Sequence, residues 1–237
     1  MLMRSLLLVI GCLWALPAAA VQVNGCPDFI PPEIAVKQLV AEPTFDNTKS
    51  LPSIRQMTID HGKDVVSTHD VPVGITAASL KLDSRYKLRL SVNPNDNMAC
   101  AQVSAYDLNI GFDDTTVYLA RELPYYSCSY RAVLEHEMRH VKTDRQFIGN
   151  YAPYLPDQLR AAMSRIGTIR ASSTETAEKR ISAQIDAFMA DLGAYLTQQR
   201  QAMQAQIDTP AEYTRLGNSC NGELARLIAE AKKAGGY

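Results

Sequence analysis

The stretch His136-Glu137-Met138-Arg139-His140 lies within a segment, residues 129–149, whose apolar positions recur every three or four residues. That period predicts a single amphipathic α-helix. Residues i and i+4 of a helix lie about 40° apart around its axis and are separated by one turn of roughly 5.4 Å. We therefore expect both imidazoles to point to the same side of this helix, where they could bind one metal ion.

Glu137 follows the first histidine directly, so it is rotated from it by about 100° around the helix axis. A carboxylate there could reach a water molecule beside the metal without itself acting as a ligand. The alternative is a pair of surface histidines on a solvated helix, since Glu135, Arg139 and Arg145 make the neighbouring surface polar. Because the chain contains four histidines in all, chance seldom produces this pattern, and we favour the metal-binding interpretation.

The first twenty residues predict an export signal. Arg4 supplies a positive charge, residues 6–16 are short and mostly apolar, and Ala18-Ala19-Ala20 offers small residues for cleavage. This apolar run is too short for a permanent membrane helix, and no later stretch is long enough. A lipoprotein anchored at Cys12 is the less favoured alternative, because little apolar sequence precedes that cysteine. We expect an exported protein, periplasmic or extracellular, with no integral membrane segment in the mature chain.

The charge balance of the chain argues against strongly anionic partners. Its 24 lysines and arginines face 25 aspartates and glutamates, which gives a net charge of -1. This balance provides no electrostatic reason to expect binding to nucleic acid or to an anionic membrane.

The cysteines of the mature chain predict disulfide bonds. Four remain after removal of the signal: Cys26, Cys100, Cys128 and Cys220. An even number of widely spaced cysteines in an exported chain indicates two disulfides, and three pairings stay open. A cysteine-rich metal site is disfavoured because the chain has no Cys-x-x-Cys pair.

The sequence divides into a β-rich part and a helical part. Residues 21–55 contain several prolines and few periodic signals, and we interpret them as an extended lead-in that Cys26 could pin to the domain. The β-rich part, 56–120, contains predicted strands at 86–92, 101–112 and 115–120, with a turn at 93–97.

After Pro124 nearly every segment predicts helix. The helices are expected at 129–149, ended by Gly149-Asn150, at 156–166, from the capping box Ser172-x-x-Glu175 to about Ile207, from the capping box Thr209-x-x-Glu212 onwards, and at 221–234. We expect an α+β fold in which residues 56–237 form one domain. A small antiparallel or mixed sheet should pack on the mainly helical part, 125–237, that carries the paired histidines.

A short strand followed by His-Glu-x-x-His on a helix resembles the active-site half of the zincin metallopeptidases. The resemblance is greatest to uncharacterised secreted bacterial families predicted to be zinc-dependent proteases. It covers about residues 115–150, with weaker similarity of layout through the helical half. It implies a zincin-like fold and a catalytic Zn²⁺ bound by His136 and His140, with Glu137 as general base. The metzincin extension is absent, because no Gly and His follow His140 at the required spacing.

The third zinc ligand is not obvious. Asp144 lies one further turn beyond His140, about 6 Å along the helix, so we expect it to orient an imidazole or to be an ordinary surface charge. Zincins of the glutamate type take a third ligand from a later helix, and the candidates are Glu175, Glu178, Asp208 and Glu212. We favour Glu212, then Asp208, because residues 207–213 are well specified for a helix junction and lie near Cys220.

Several of these residues have an alternative interpretation without a metal. Glu175 and Glu212 each occupy the last position of a capping box, and Glu178 fits a solvated helix face. Tyr213 could stabilise an oxyanion, although a packing role is the favoured interpretation. His61 and His69 in the β-rich half are interpreted as solvated or hydrogen-bonded histidines rather than distant ligands.

The mechanism implied by the resemblance is hydrolysis of a peptide or protein substrate. Zinc activates a water, and Glu137 accepts its proton as it attacks a carbonyl and then passes the proton to the leaving amine. If the strand at 115–120 is a sheet edge beside the helix, an extended peptide could pair with it. A non-catalytic envelope protein remains the alternative, with a structural metal or with none and assembly through the Gln-rich stretch 198–206. Peptidase is favoured over esterase or deacetylase by analogy alone.

Overall fold

The computed structural model describes residues 23–60 and 71–233. The strands there are β1 (Glu33–Val40), β2 (Thr44–Asp46), β3 (Gly74–Ala77), β4 (Lys81–Val92), β5 (Ala99–Phe112), β6 (Thr116–Leu119) and β7 (Ile169–Ala171). The α-helices are α1 (Leu51–Asp60), α2 (Cys128–Tyr151), α3 (Leu155–Ile166), α4 (Thr174–Gln204), α5 (Pro210–Asn218) and α6 (Glu223–Lys233). The expected α+β class is confirmed, with the strands mainly in the N-terminal half and the helices mainly in the C-terminal half.

The strands form two small mixed sheets. In the first, β5 lies between β1, which runs parallel to it, and β4, which runs antiparallel, while β7 pairs with the start of β5. In the second, β6 lies between the parallel strand β2 and the antiparallel strand β3. The predicted strand at 115–120 is therefore the middle of a sheet and not its edge. The edge assumption fails because β2 and β3, which the sequence analysis did not identify, flank it.

Each sheet packs on its own apolar core. The first core lies between β5 and the helices α3 and α4, and the second joins the smaller sheet to α1, α5 and α6. Helix α2 belongs to both, because Phe147 and Ile148 are buried in the first core and Val133 and Val141 in the second. The helix that carries the paired histidines thus holds the two halves of the protein together.

The prediction of a lead-in at 21–55 is wrong. Residues in that range form β1, β2 and the first half of α1, and residues 56–60 belong to the same helix rather than to a strand. In β1, Ile34 and Val36 are half-buried against the first core, and the prolines flank the strand rather than interrupt it. The pairing of β1 with β5 joins Glu33 to Ala105, a partner that local patterns do not reveal.

Two helix boundaries also differ from expectation. The cap of α4 is Ser173, whose side chain accepts a hydrogen bond from Thr176 N, so the box assigned to Ser172 and Glu175 is displaced by one residue. Gly149 does not end α2, which continues to Tyr151 before a 3₁₀ turn over Ala152–Tyr154. In contrast, the hydroxyl of Thr209 accepts a hydrogen bond from Glu212 N, as expected for its cap.

The expected two disulfides are present. Cys26 pairs with Cys100 and ties the start of the described chain to β5, while Cys128 pairs with Cys220. The second bond joins the first residue of α2 to the 3₁₀ turn Ser219–Gly222 that follows α5. Paired cysteines fit an exported chain.

Some sequence predictions fall outside the described residues. They are the export signal at 1–20, the alternative lipid anchor at Cys12, and His61 and His69. In the ranges 23–60 and 71–233, no helix has both the length and the apolar content needed to cross a bilayer.

Two glycines provide a matched test of this architecture. Gly111 has φ +149°, and a Cβ there would lie 1.9 Å from the carbonyl oxygen of Leu39 on the neighbouring strand, whereas a Cβ on Gly149 meets no atom within 4 Å. We expect Gly111→Ala to lower the free energy of unfolding by more than about 2 kcal/mol, because it pushes β1 off β5. Gly149→Ala should raise it by roughly 0.5 kcal/mol through helix propensity. Urea denaturation measures both, and a Gly111→Ala protein as stable as wild type contradicts the parallel pairing.

Candidate metal centre

Helix α2 has a buried polar stripe. His136, Glu137, His140 and Asp144 are each 5% exposed or less, and their spacing places them along one side of the helix between the two apolar cores. The hydroxyl of Ser127 accepts a hydrogen bond from Tyr130 N and fixes where the helix begins. Buried polar side chains require polar partners, so this stripe indicates a specific set of contacts.

Three side-chain atoms converge at the centre of the stripe. Nε2 of His136 lies 3.4 Å from Nε2 of His140. Oδ1 of Asp208, from the turn between α4 and α5, lies 3.3 Å from the first nitrogen and 3.1 Å from the second. Among the described histidines, cysteines and acidic residues, these three are the group whose atoms approach closely enough to hold one metal ion.

The triangle of atoms fits zinc. Tetrahedral zinc sites have Zn–N and Zn–O bonds of about 2.0–2.1 Å, which places neighbouring ligand atoms roughly 3.3–3.4 Å apart. The three distances in this protein, 3.1, 3.3 and 3.4 Å, are close to that value. Two imidazole nitrogens and one carboxylate oxygen also belong to the ligand types that zinc prefers. The side chains are therefore suited to bind a zinc ion.

Glu212, the favoured third ligand from sequence, lies on the other side of His136. Its Oε1 is 3.2 Å from Nδ1 of that histidine, not beside Nε2, and it also accepts hydrogen bonds from Arg139 and Arg215. The hydrogen bond from Arg215, with those from Arg139 and His136, outweighs burial and lowers the pKa of Glu212 to about 2. Glu212 thus holds the ring of His136 at Nδ1, while Asp208 approaches the Nε2 atoms of both histidines.

The charges around His136 favour its protonated form. Burial opposes protonation, but hydrogen bonding to Asp208, the charge of Glu137 and hydrogen bonding to Glu212 together raise the pKa of His136. The local field is therefore negative at the ring, which also favours binding of a cation.

Glu137 is held from the second sheet. The Thr76 hydroxyl lies 2.8 Å from Oε2 of Glu137 and 3.1 Å from its backbone oxygen. Gly74, two residues earlier on β3, permits this approach, because a Cβ there would lie 2.8 Å from Oε1 of Glu137 and 2.9 Å from Val133. The strand beside the glutamate is therefore β3, the outer strand of its sheet among those described.

The opposite end of the site contains a residue that sequence analysis missed. Oε1 of Gln204, the last residue of α4, lies 2.6 Å from Nδ1 of His140. Asp144 contacts Gln204 and Arg200 rather than an imidazole directly. The sequence offers the Gln-rich stretch 198–206 only as a possible assembly surface, and nothing in its pattern singles out Gln204.

The remaining candidates lie apart from the triangle. Glu175 pairs with Lys179 on the exposed first turns of α4, and Glu178 is exposed nearby. A helix of this length separates them from Gln204 by about 40 Å, so they cannot join the same site. The Tyr213 ring lies 6.2 Å from the His136 ring, centre to centre, and is 43% exposed.

Comparison with known proteins adds no assignment to this geometry. No protein-family model, curated protein or solved structure matches the chain. The resemblance to zincins stays a prediction that depends on residues 115–150.

The ion pairs of Glu212 give a prediction for stability against pH. A folded-state pKa of about 2, against a usual value of 4.5, means that Glu212 stabilises the fold fully above about pH 4.5 and progressively less as the pH falls toward 2. Because Arg139 and Arg215 are 40% and 49% exposed, we expect Glu212→Gln to cost only on the order of 1–2 kcal/mol at pH 7.

Urea denaturation of the chelator-treated protein at pH 7, 4 and 3 measures this effect. The difference between wild type and Glu212→Gln should shrink steadily below pH 4.5, while Glu178→Gln on the exposed face of α4 should change little at any pH. A difference that is constant from pH 7 to pH 3 contradicts the ion-pair account of Glu212.

Proposed function

We propose that this protein is an exported zinc-dependent peptidase, acting in the periplasm or outside the cell. The observation that carries the proposal is the triangle of two Nε2 atoms and one carboxylate oxygen at 3.1–3.4 Å, with Glu137 on the same buried stripe. In this proposal His136, His140 and Asp208 bind zinc, and Asp208 replaces Glu212 as the third ligand.

The number of ligands favours catalysis over a structural metal. Structural zinc sites are closed by four protein ligands, whereas catalytic sites use three and keep one position for water or substrate. Three side chains form the metal-binding group among the residues described. The bound zinc would act as a Lewis acid and lower the pKa of water toward 7.

Glu137 supplies the proton transfers that hydrolysis requires. Its carboxylate takes a proton from water as the water oxygen bonds to the carbonyl carbon, and it returns the proton to the amine nitrogen as the C–N bond breaks. The hydrogen bond from Thr76 to Oε2 keeps the carboxylate oriented. Burial beneath β3 limits the access of bulk water to the base.

A peptide substrate is favoured by the position of β3. This strand pairs with β6 on one side, and Thr76 in its centre contacts the base. An extended peptide that paired with the outer side of β3 would be bound beside the strand that carries Thr76, the residue that contacts Glu137. A small ester substrate has no peptide backbone and gains no comparable pairing.

The test is a comparison of two neighbouring glutamates on α2. Glu137→Gln keeps an acceptor for Thr76 but cannot take a proton, so we expect hydrolysis to fall by 10²–10⁴-fold while the protein still binds about one zinc ion per chain. Glu135→Gln, at an exposed position two residues earlier, should retain full activity. Asp208→Ala should lose both zinc and activity.

The assay uses the purified mature protein loaded with zinc, a fluorogenic peptide mixture and unfolded casein as substrates, and elemental analysis for the metal. Full activity of Glu137→Gln overturns the assignment of the base. A wild-type protein that binds no zinc, or that binds zinc and cleaves neither substrate, contradicts the proposed function.

A further inference from the structure

The outer edge of the His140 ring faces the end of α4. Nδ1 of His140 lies 2.6 Å from Oε1 of Gln204. The amide nitrogen of the same glutamine lies 2.6 Å from Oδ1 of Asp144 and 3.2 Å from the backbone oxygen of His140. One amide group therefore joins the ring, the main chain of the same histidine and a carboxylate one turn further along α2.

These contacts fix the orientation of the Gln204 amide. A glutamine side chain has one end that accepts hydrogen bonds and one NH₂ end with two hydrogens to donate. The Asp144 carboxylate and the His140 carbonyl are both acceptors, so the NH₂ end must face them and both of its hydrogens are used. The oxygen end must then face Nδ1 of His140.

The orientation of the amide fixes the tautomer of His140. An amide oxygen only accepts hydrogen bonds, so Nδ1 must carry the hydrogen that it receives. A neutral imidazole carries one such hydrogen, and Nε2 is then left with its lone pair. Nε2 is the atom that lies in the triangle with His136 and Asp208.

Asp144 is itself held in place. Arg200 donates to both of its oxygens, at 2.7 Å from Nε and 2.8 Å from the terminal nitrogen, and the guanidinium lies 4.9 Å from the centre of the Phe112 ring. Asp144 is 3% exposed. A bidentate ion pair in a buried position leaves the carboxylate little freedom to turn.

We propose that Gln204, oriented by Asp144, is a positioning residue that keeps the proton of His140 on Nδ1 and so prepares Nε2 to bind a metal. The identity of the ligand that Nε2 binds rests on the proposed function. The tautomer of His140 does not, because it is a property of the metal-free chain. The two histidines are held differently, since a charged carboxylate of Glu212 faces Nδ1 of His136 and a neutral amide faces Nδ1 of His140.

The first test reads the tautomer directly. Long-range ¹H–¹⁵N correlation spectra of the ¹⁵N-labelled, chelator-treated protein at pH 8 distinguish the two neutral forms of each histidine. We expect the Nδ1-protonated form of His140 in wild type. Asp144→Asn offers Gln204 a donor as well as an acceptor, so the amide can reverse and the population should shift toward the Nε2-protonated form.

The second test measures zinc affinity by competition with a chromophoric chelator. Gln204→Leu removes the acceptor, and Gln204→Glu keeps it but places a second carboxylate against Asp144, so both should weaken binding by about 10–100-fold. Gln201→Leu, on an exposed position of the same helix, is the matched control and should bind as wild type does.

The two readouts separate failure of this inference from failure of the proposed function. An Nε2-protonated His140 in wild type, or a tautomer that neither Asp144→Asn nor Gln204→Leu changes, overturns the role of Gln204. So does tight zinc binding that is equal in wild type and Gln204→Leu. If wild type binds no zinc but shows the expected tautomer and its shift in Asp144→Asn, the positioning role stands and the proposed metal centre is overturned.

Discussion

Two imidazole nitrogens of α2 and a carboxylate oxygen of Asp208 face one another at 3.1–3.4 Å in a largely buried position. Such an arrangement is repulsive unless a positive centre, a proton or a metal ion, lies among them. Both histidines come from α2 and Asp208 comes from the turn before α5, so two distant parts of the chain must be held in register. The disulfide between Cys128 and Cys220 joins the start of α2 to the 3₁₀ turn after α5, so it holds the far end of the helix that follows Asp208.

The groups around the three converging atoms keep the side chains in their orientation. The outer nitrogen of His136 is bound to Glu212, and that of His140 to Gln204, so the inner nitrogens keep their orientation. The second sheet contributes through β3, where the hydroxyl of Thr76 fixes the Glu137 carboxylate. The proposed chemistry therefore depends on contacts from the second sheet and from the helical junction, although three of its central residues lie on one helix.

The sequence was sufficient to predict what depends on local patterns. The periodicity around His136 and His140 predicted α2, and the patterns at 86–92 and 101–112 predicted strands that lie within β4 and β5. The cap at Thr209 is present. Each of these features is determined by residues that are close to one another in the sequence. The number of disulfides followed from the cysteine count, whereas their pairing required the fold.

Features that depend on distant partners were missed or assigned to the wrong residue. Strand β1 pairs with residues more than 70 positions away. Its apolar and polar residues alternate over a short stretch only, and the prolines on both sides favour an interpretation as irregular chain. Asp208 and Glu212 lie four residues apart, and only the path of the chain from α4 into α5 brings the aspartate, rather than the glutamate, to the inner nitrogens. Gln204 contacts His140 through its side-chain amide. Glutamines are too frequent near the end of α4 for the sequence pattern to single out this one.

Anomalous diffraction at the zinc absorption edge, recorded from crystals of the zinc-loaded protein, tests the central claim most directly. The account predicts one strong peak about 2.0–2.1 Å from Nε2 of His136, Nε2 of His140 and a carboxylate oxygen of Asp208, with Glu212 still bound to Nδ1 of His136. A peak coordinated by Glu212 in place of Asp208, or the absence of any peak between the two histidines, would contradict it.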